Sequence, residues 1–296
     1  MTADLPLVSI IVITYNSSKY VLETLESAKA QTYQNIELII SDDGSTDKTI
    51  EICENWLAEN KERFVHIHII TVEKNTGIPA NCNRGVKATK GEWVKLIAGD
   101  DQLRENCIEC NISYIVSLKE VEVLQTVSRF YYDTFTESNF FHTAPNDTSF
   151  FDLSAEEQYN CLLRSNLIIA PSTLIKKSCV ERVGGFDEDF KLMEDYTMWL
   201  SLTKNGVKVH FLDTETVNYR IHSPSVQRNG KVHISPSFCL EQIKFYRKYM
   251  PQSLSRKLEI LRFNLFIIYD KIGLNNNSLI SKFLYSLTSK IFNSFS

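Results

Sequence analysis

Three pairs of adjacent acids, Asp42-Asp43, Asp100-Asp101 and Glu194-Asp195, stand out as residues whose type and spacing could do chemistry. Two carboxylates side by side repel each other unless a cation joins them. A divalent ion is the common answer, because Mg²⁺ takes one or two carboxylates and completes its shell with phosphate oxygens and water. Asp100-Asp101, just after the apolar run Trp93 to Ile97, reads as such a metal-diphosphate site, although an Asp-Asp pair alone is also ordinary turn chemistry. Asp42-Asp43-Gly44-Ser45-Thr46-Asp47 is a turn entering a helix, with Asp47 near the positive end of its dipole. That explains Ser45, Thr46 and Asp47, and leaves a carboxylate able to accept a hydrogen bond from a nucleotide base. Glu194 and Asp195 open a helix anchored by Trp199, Leu200 and Leu202, where acids also serve as caps.

The elements that must position these groups follow a repeating order. Val8 to Ile13 is a nearly continuous β-branched run, as in a strand covered on both faces, and the polar Thr14-Tyr15-Asn16 ends it. Val21, Leu22, Leu25 and Ala28 then recur at helical spacing. A second unit has a strand at Ile36 to Ile40 and a helix from Thr46 to Asn60. A third has a strand at His66 to Val72 and a helix from Ala80 to Ala88, and the fourth strand runs into Gly99-Asp100-Asp101. Strands alternating with helices predict a doubly wound, mostly parallel, Rossmann-like α/β sheet. Ligands of such sheets bind beyond the carboxyl ends of the strands, where Thr14-Tyr15-Asn16, Asp42-Asp43 and Asp100-Asp101 all fall. Further on, Val121 to Phe151 is strand-like and aromatic, Ser154 caps a helix to Arg164 with Glu157 three residues on, and Ile168 to Ile175 reads as a strand.

Composition narrows the class. With 296 residues, 43% hydrophobic and 23% charged, the chain suits one large catalytic domain with an appended segment. A net charge of -4 argues against a nucleic-acid partner. Seven scattered cysteines show no disulfide framework, and Cys107-x-x-Cys110 lacks a second pair, so two helix cysteines in a reducing, cytosolic compartment is the reading. Leu7 to Ile13 is too short and too poor in flanking cations for a signal peptide.

Val8-Ser-Ile-Ile-Val-Ile-Thr-Tyr-Asn16, Ser41-Asp-Asp-Gly-Ser-Thr-Asp47, Gly91-Glu-Trp to Asp100-Asp101, Gly184-Gly-Phe-Asp187 and Glu194-Asp195 together resemble the inverting family-2 glycosyltransferases of GT-A fold, over roughly Leu7 to His222. The resemblance implies Thr14 and Tyr15 in the nucleoside pocket beside Asn16, Asp43 on the base, Asn83 near the donor and Asp100 at the donor ribose or sugar. It implies Asp101 as direct ligand of Mn²⁺ or Mg²⁺, and His222, in Tyr219-Arg220-Ile221-His222, as a second ligand, although a lone histidine is usually a surface residue. Where the family often has Asp-x-Asp, this chain has Gly99 two residues before Asp101. Asp195 is implied as the general base and Glu194 as its supporting or acceptor-binding neighbour. Arg220 and Arg228 are both candidates for the diphosphate.

The expected organisation is a catalytic domain over 1–234, its nucleotide part about 1–105 and its acceptor part about 106–234, followed by a helical segment over 235–296. From Ser253 onward six bases face two acids, and Ile280, Phe283, Leu284, Leu287 and Ile291 form an apolar helical stripe. Such a segment can lie on the inner face of the cytoplasmic membrane, pack on the catalytic domain or form a homodimer interface. The expected function is transfer from a nucleotide sugar, by expectation a UDP-sugar, to a glycan or lipid-linked saccharide in polysaccharide, O-antigen or capsule synthesis. The alternatives are a sugar-nucleotide nucleotidyltransferase, disfavoured by the glycine-free Tyr15-Asn16-Ser17-Ser18-Lys19 loop, and a non-catalytic nucleotide-sugar or carbohydrate-binding module.

Overall fold

Strand β1 (Val8–Thr14) is buried along nearly its whole length, as its nearly continuous apolar sequence requires. In the computed structural model, which describes residues 5–118, 120–191, 193–221 and 233–293, β1 lies between β2 (Ile36–Asp42) and β4 (Trp93–Ala98), parallel to both, with β3 (Ile67–Ile70) beyond β2. Helices α1 (Val21–Lys29) and α2 (Thr49–Asn60) share one core with Val8, Ile10 and Val12 through Val21, Leu25, Cys53 and Trp56. Helix α3 (Ile78–Ala88) covers the other face; a Cβ on its Gly85 would stand 2.5 Å from a methyl of Ile11, so only glycine lets it pack this closely.

Register places the polar ends of the strands level. Thr14 pairs with Asp42, and Ile13 with both Ser41 and Ala98, so the turns after β1, β2 and β4 emerge side by side. The chain leaves β1 for β2 and β3 on one side and returns to β4 on the other, the crossing point at which such sheets bind ligands.

Beyond β4 the sheet becomes mixed. After the short β5 (Gln102–Leu103), helix α4 (Cys107–Ser117) carries Cys107 and Cys110, and all seven cysteines are free. The long β6 (Val123–Tyr132) pairs antiparallel with β7 (Phe140–Ala144) and β8 (Thr173–Lys176), and parallel with β9 (Val209–Ile221). Ser154 closes a capping box with Glu157 at the start of α6 (Ala155–Leu162), after the single turn α5 (Ser149–Asp152). The strand expected from Ile168 begins only at Thr173: Pro171 has no N–H to give a ladder, and Ala170–Ser172 forms a 3₁₀ turn whose Pro171 carbonyl accepts the buried Lys95 ammonium at 2.7 Å. Helix α7 (Lys177–Arg182) follows β8, and α8 (Glu194–Lys204) precedes β9.

The chain divides into two compact units, Met1–Asp189 with Glu194–Ile221, and Phe190–Met193 with His222–Ser296. The second contains α9 (Pro236–Tyr249), α10 (Leu254–Lys271) and α11 (Leu279–Asn293), packed around Cys239, Ile243, Phe263, Phe266 and Tyr285. Among the described residues no helix is long and apolar enough to cross a membrane.

Candidate active site

Asp101 is drawn into the fold by its neighbours in space. Strand β5 pairs Gln102 with Asn218 and Leu103 with Val217, which sets Arg220 beside Asp101, and the Arg220 N–H donates to Asp101 Oδ1 at 2.8 Å. The Asp101 carbonyl accepts the Thr24 hydroxyl at 2.6 Å, so the residue is fixed from both strand and helix. The residue is 2% exposed, and burial, then the charge of Asp100, pushes the pKa of its carboxyl well above the carboxylate range. A buried acid of this kind holds either a proton or a cation. Asp100 is half-buried, and its carbonyl accepts Arg220 Nε at 2.7 Å.

Gly99 explains the departure from Asp-x-Asp. A Cβ there would meet Thr14 Cγ2 at 2.9 Å and Ser17 at 3.2 Å, so the loop leaves no room for a third acid and the carboxylates present are Asp100 and Asp101. Among the described residues no three His, Cys, Asp or Glu side chains cluster as a complete metal cage, and His222 and Arg228 lie outside those residues. Two adjacent acids still suit Mg²⁺ or Mn²⁺, which keep several ligand positions for phosphate and water. Arg220 is committed to protein partners: it donates to the Asp133 carbonyl and to Glu23 at 2.8 Å, and its guanidinium lies over the rings of Tyr20 and Phe135, 4.2 and 4.1 Å from their centroids. It braces the Asp100-Asp101 turn.

The other acids at this edge have separate tasks. Asp42, fully buried, accepts from Thr14, Gly44, Ser45 and Thr71 and shapes the turn after β2. Asp43 accepts from the Thr76 hydroxyl at 2.7 Å, from the Thr76 and Gly77 N–H groups, and from Arg84 at 2.6 Å. Against the opposing effect of burial, these donors hold it below the usual carboxylate range. Thr14 is buried on Asp42, whereas the Tyr15 ring is 49% exposed at the strand mouth. Asn16, at φ 52°, accepts from Thr46 N at 2.8 Å and gives its own N–H to Ser45, tying the β1 and β2 turns together.

Asn83 reaches from α3 to the Gly184-Gly185 loop. Its amide donates to the Phe186 carbonyl at 2.9 Å and to Glu188 at 2.8 Å, while its oxygen accepts the Phe186 N–H at 2.8 Å. Gly185 has φ 86°, and a Cβ there would stand 2.7 Å from the Asn83 oxygen. Gly185→Ala is therefore expected to cost about 1–2 kcal/mol of backbone strain. It also displaces Asn83, and a lowered thermal midpoint with a matching loss in Asn83→Ala checks this coupling.

Glu194 and Asp195 begin α8. Asp195 accepts the Tyr196 N–H at 2.7 Å on one oxygen and the Asn166 amide at 2.9 Å on the other. Burial, then the Asp195 charge, pushes Glu194 up to about 8; burial also raises Asp195, but its two donors oppose the rise. The two carboxyls titrate as one pair, and Asp195, which keeps two donors, is the member better placed to carry its charge. Sequence reasoning missed Asn166, because nothing in its spacing links a loop residue to a helix 29 positions away.

Tyr219, on β9, joins the two halves. Its phenol is pushed up first by burial and then by Asp101, Asp100, Asp195 and Glu194, so one ring lies within electrostatic reach of both acid pairs. Its place in Tyr219-Arg220-Ile221-His222 was visible in the sequence; its role between the pairs was not.

The fold is that of the GT-A class: S. aureus TarS 1-349 bound to UDP-GlcNAc matches with a TM-score of 0.63 at 18% identity, covering 97% of this chain and 80% of that one. The chain belongs to glycosyl transferase family 2, whose family model matches residues 9–182. Glycosyltransferase GlyG of Streptococcus pneumoniae serotype 4 is 30% identical over 236 residues, 75% of this chain and 73% of that protein. The UDP-Glc:alpha-D-GlcNAc-diphosphoundecaprenol beta-1,3-glucosyltransferase WfaP of Escherichia coli is 32% identical over 225 residues, 75% of this chain and 80% of that protein.

Proposed function

We propose that this glycosyltransferase moves a sugar from a UDP-sugar to a hydroxyl of a lipid-linked saccharide, by single displacement with inversion, in surface-polysaccharide synthesis. The observation that carries the reading is that both acid pairs, Asp100-Asp101 after β4 and Glu194-Asp195 at the start of α8, lie within electrostatic reach of one buried residue, Tyr219, the first pair suited to a diphosphate and the second to a proton. Asp195 accepts the acceptor hydroxyl proton as that oxygen bonds to the anomeric carbon, while the bond from that carbon to the diphosphate oxygen breaks on the opposite face. Asn166 holds Asp195 in orientation, and the protonated Glu194 leaves it as the charged partner. A divalent cation held at Asp101, with Asp100 beside it, would offset charge on the departing diphosphate. Tyr15 and the edge around Asp43 are the side of the nucleoside, and Asn83 fixes the loop between donor and acceptor.

The acceptor belongs on the β6–β7 hairpin. Phe130 packs on Tyr219 with centroids 4.8 Å apart and stacks on His142 at 4.6 Å; His142 meets Phe141 at 4.5 Å, and Phe141 meets Tyr132 at 5.0 Å. The last two rings are 52% and 46% exposed, an apolar platform of the kind on which sugar faces rest. The name of the E. coli relative, with its UDP-sugar and diphosphoundecaprenol acceptor, supports both substrate classes.

A screen of nucleotide sugars with Mn²⁺ or Mg²⁺, read as release of nucleoside diphosphate in the presence of lipid-linked saccharides, tests the reading. UDP release that stops with a chelator, with the product of opposite anomeric configuration, is expected. Pyrophosphate release in its place would mean nucleotidyl transfer, and donor binding without turnover on any acceptor would mean a binding module.

A further inference from the structure

Helix α11 has two apolar faces, only one of which the fold uses. Ser281, Tyr285, Thr288 and Phe292 are buried at steps of three and four, with Tyr285 stacked on Phe266 of α10 at 4.9 Å. On the opposite side Leu279, Ile280, Phe283, Leu287 and Ile291 are 85%, 66%, 64%, 40% and 47% exposed. At about 100° per residue they form one stripe along the helix. An ordinary surface helix turns polar residues outward; this one turns out four large aliphatic side chains and Phe283.

Helix α10 repeats the pattern. Arg256, Glu259, Phe263 and Phe266 face inward, and Leu254, Leu261, Ile268 and Ile272 are 72%, 50%, 49% and 63% exposed. With the half-buried Leu258 and Leu265 between them, they keep a strict spacing of four and three, that of a coiled-coil seam.

Charge decides between a second copy and a lipid surface. The residues flanking the α10 seam are Lys257, Asn264 and Lys271 on one side and Ser255, Arg262 and Tyr269 on the other, with no acid among them. A copy of the same helix would bring cations against cations. The acid Glu259 is buried and paired with Arg262 at 2.5 Å, whereas Lys257, Lys271, Lys282 and Lys290 are all exposed. Outward apolar stripes edged by lysines and lacking exposed acids fit the interface of an anionic bilayer, apolar groups reaching the acyl boundary and ammonium groups the headgroups. Neither helix is long and apolar enough to span it.

We propose that the outward face of α11, aided by that of α10, docks the protein on an anionic membrane surface. This rests on the C-terminal unit alone and does not depend on the proposed reaction. The test is co-sedimentation of the full chain with vesicles of phosphatidylcholine, alone or mixed with phosphatidylglycerol, at low and high salt. Binding to the mixed vesicles is expected, weaker at high salt. Ile280→Ser with Phe283→Ser, and separately Lys282→Glu with Lys290→Glu, are expected to weaken it roughly tenfold or more. The circular dichroism spectrum and thermal midpoint should be unchanged in both, which confirms that they fold. No sedimentation with the mixed vesicles, or equal sedimentation of the apolar double variant, overturns the proposal. So does a dimer, by light scattering without lipid, that the same two substitutions disperse.

Discussion

Asp195→Asn is expected to lower sugar transfer by on the order of 10²–10⁴-fold, the usual contribution of a positioned general base, while leaving donor binding unchanged. The amide keeps the shape of the carboxylate and an acceptor atom for the Tyr196 N–H, so the helix start stays intact; its NH2 meets Asn166, whose amide must turn its oxygen inward to accept, and the proton acceptor is lost. Glu194→Gln is the informative contrast. Glu194, raised to about 8, is already neutral at pH 7, and glutamine mimics that form, so this variant should retain activity within roughly tenfold of the parent. The sign of its effect on stability follows from the same shift. A carboxyl whose folded pKa lies above its unfolded value of 4.5 contributes stability that is present below 4.5 and lost as pH rises through about 8. Glu194→Gln removes that loss, and its thermal midpoint should exceed the parent's above pH 8. A parent-like rate in Asp195→Asn, with Glu194→Gln inactive, would exchange the two roles.

Asp101→Asn is expected to abolish metal-dependent donor binding, since losing a direct carboxylate ligand costs at least the roughly 10–100-fold in metal affinity attributed to an outer-shell partner. Asparagine can still accept the Arg220 N–H, so the turn between β4 and β5 is preserved. Burial and Asp100 raise the Asp101 pKa, so without metal its contribution to stability is present below the unfolded value of 3.8 and lost as pH rises through the folded one. The metal-free Asn variant should therefore melt above the metal-free parent at alkaline pH, although it binds donor worse. Isothermal titration with UDP and Mn²⁺, beside melting curves with chelator, measures both. Unchanged metal-dependent affinity in Asp101→Asn would move the metal elsewhere.

Strands β1, β2 and β4 were legible because each is largely covered on both faces and so reads as a mostly apolar run with a polar turn at its end, whereas the edge strand β3 is only half-buried and turns His68 outward. The Ser154 cap was legible for the same local reason: the capping box lies within four residues. The strand read from Ile168 began too early because apolar content was counted where Pro171 denies the ladder an N–H. The tight approach at Gly99 was opaque, since the atom that excludes a side chain there belongs to Thr14.

By itself the sequence determined the α/β order, the family motifs and the three acid pairs, all of which depend on residues near one another along the chain. What each acid does was decided by tertiary structure. Asp43 is held by Thr76, Gly77 and Arg84, Asp101 is buried against Arg220, and Asp195 is oriented by Asn166. Tyr219 brings the two halves of the site within reach of one ring. A carboxylate's charge and basicity depend on burial and on donors within a few ångströms, and those neighbours lie 29 to 119 positions away. The same holds for the C-terminal helices, whose apolar stripe was plain in the sequence but whose outward direction only packing revealed.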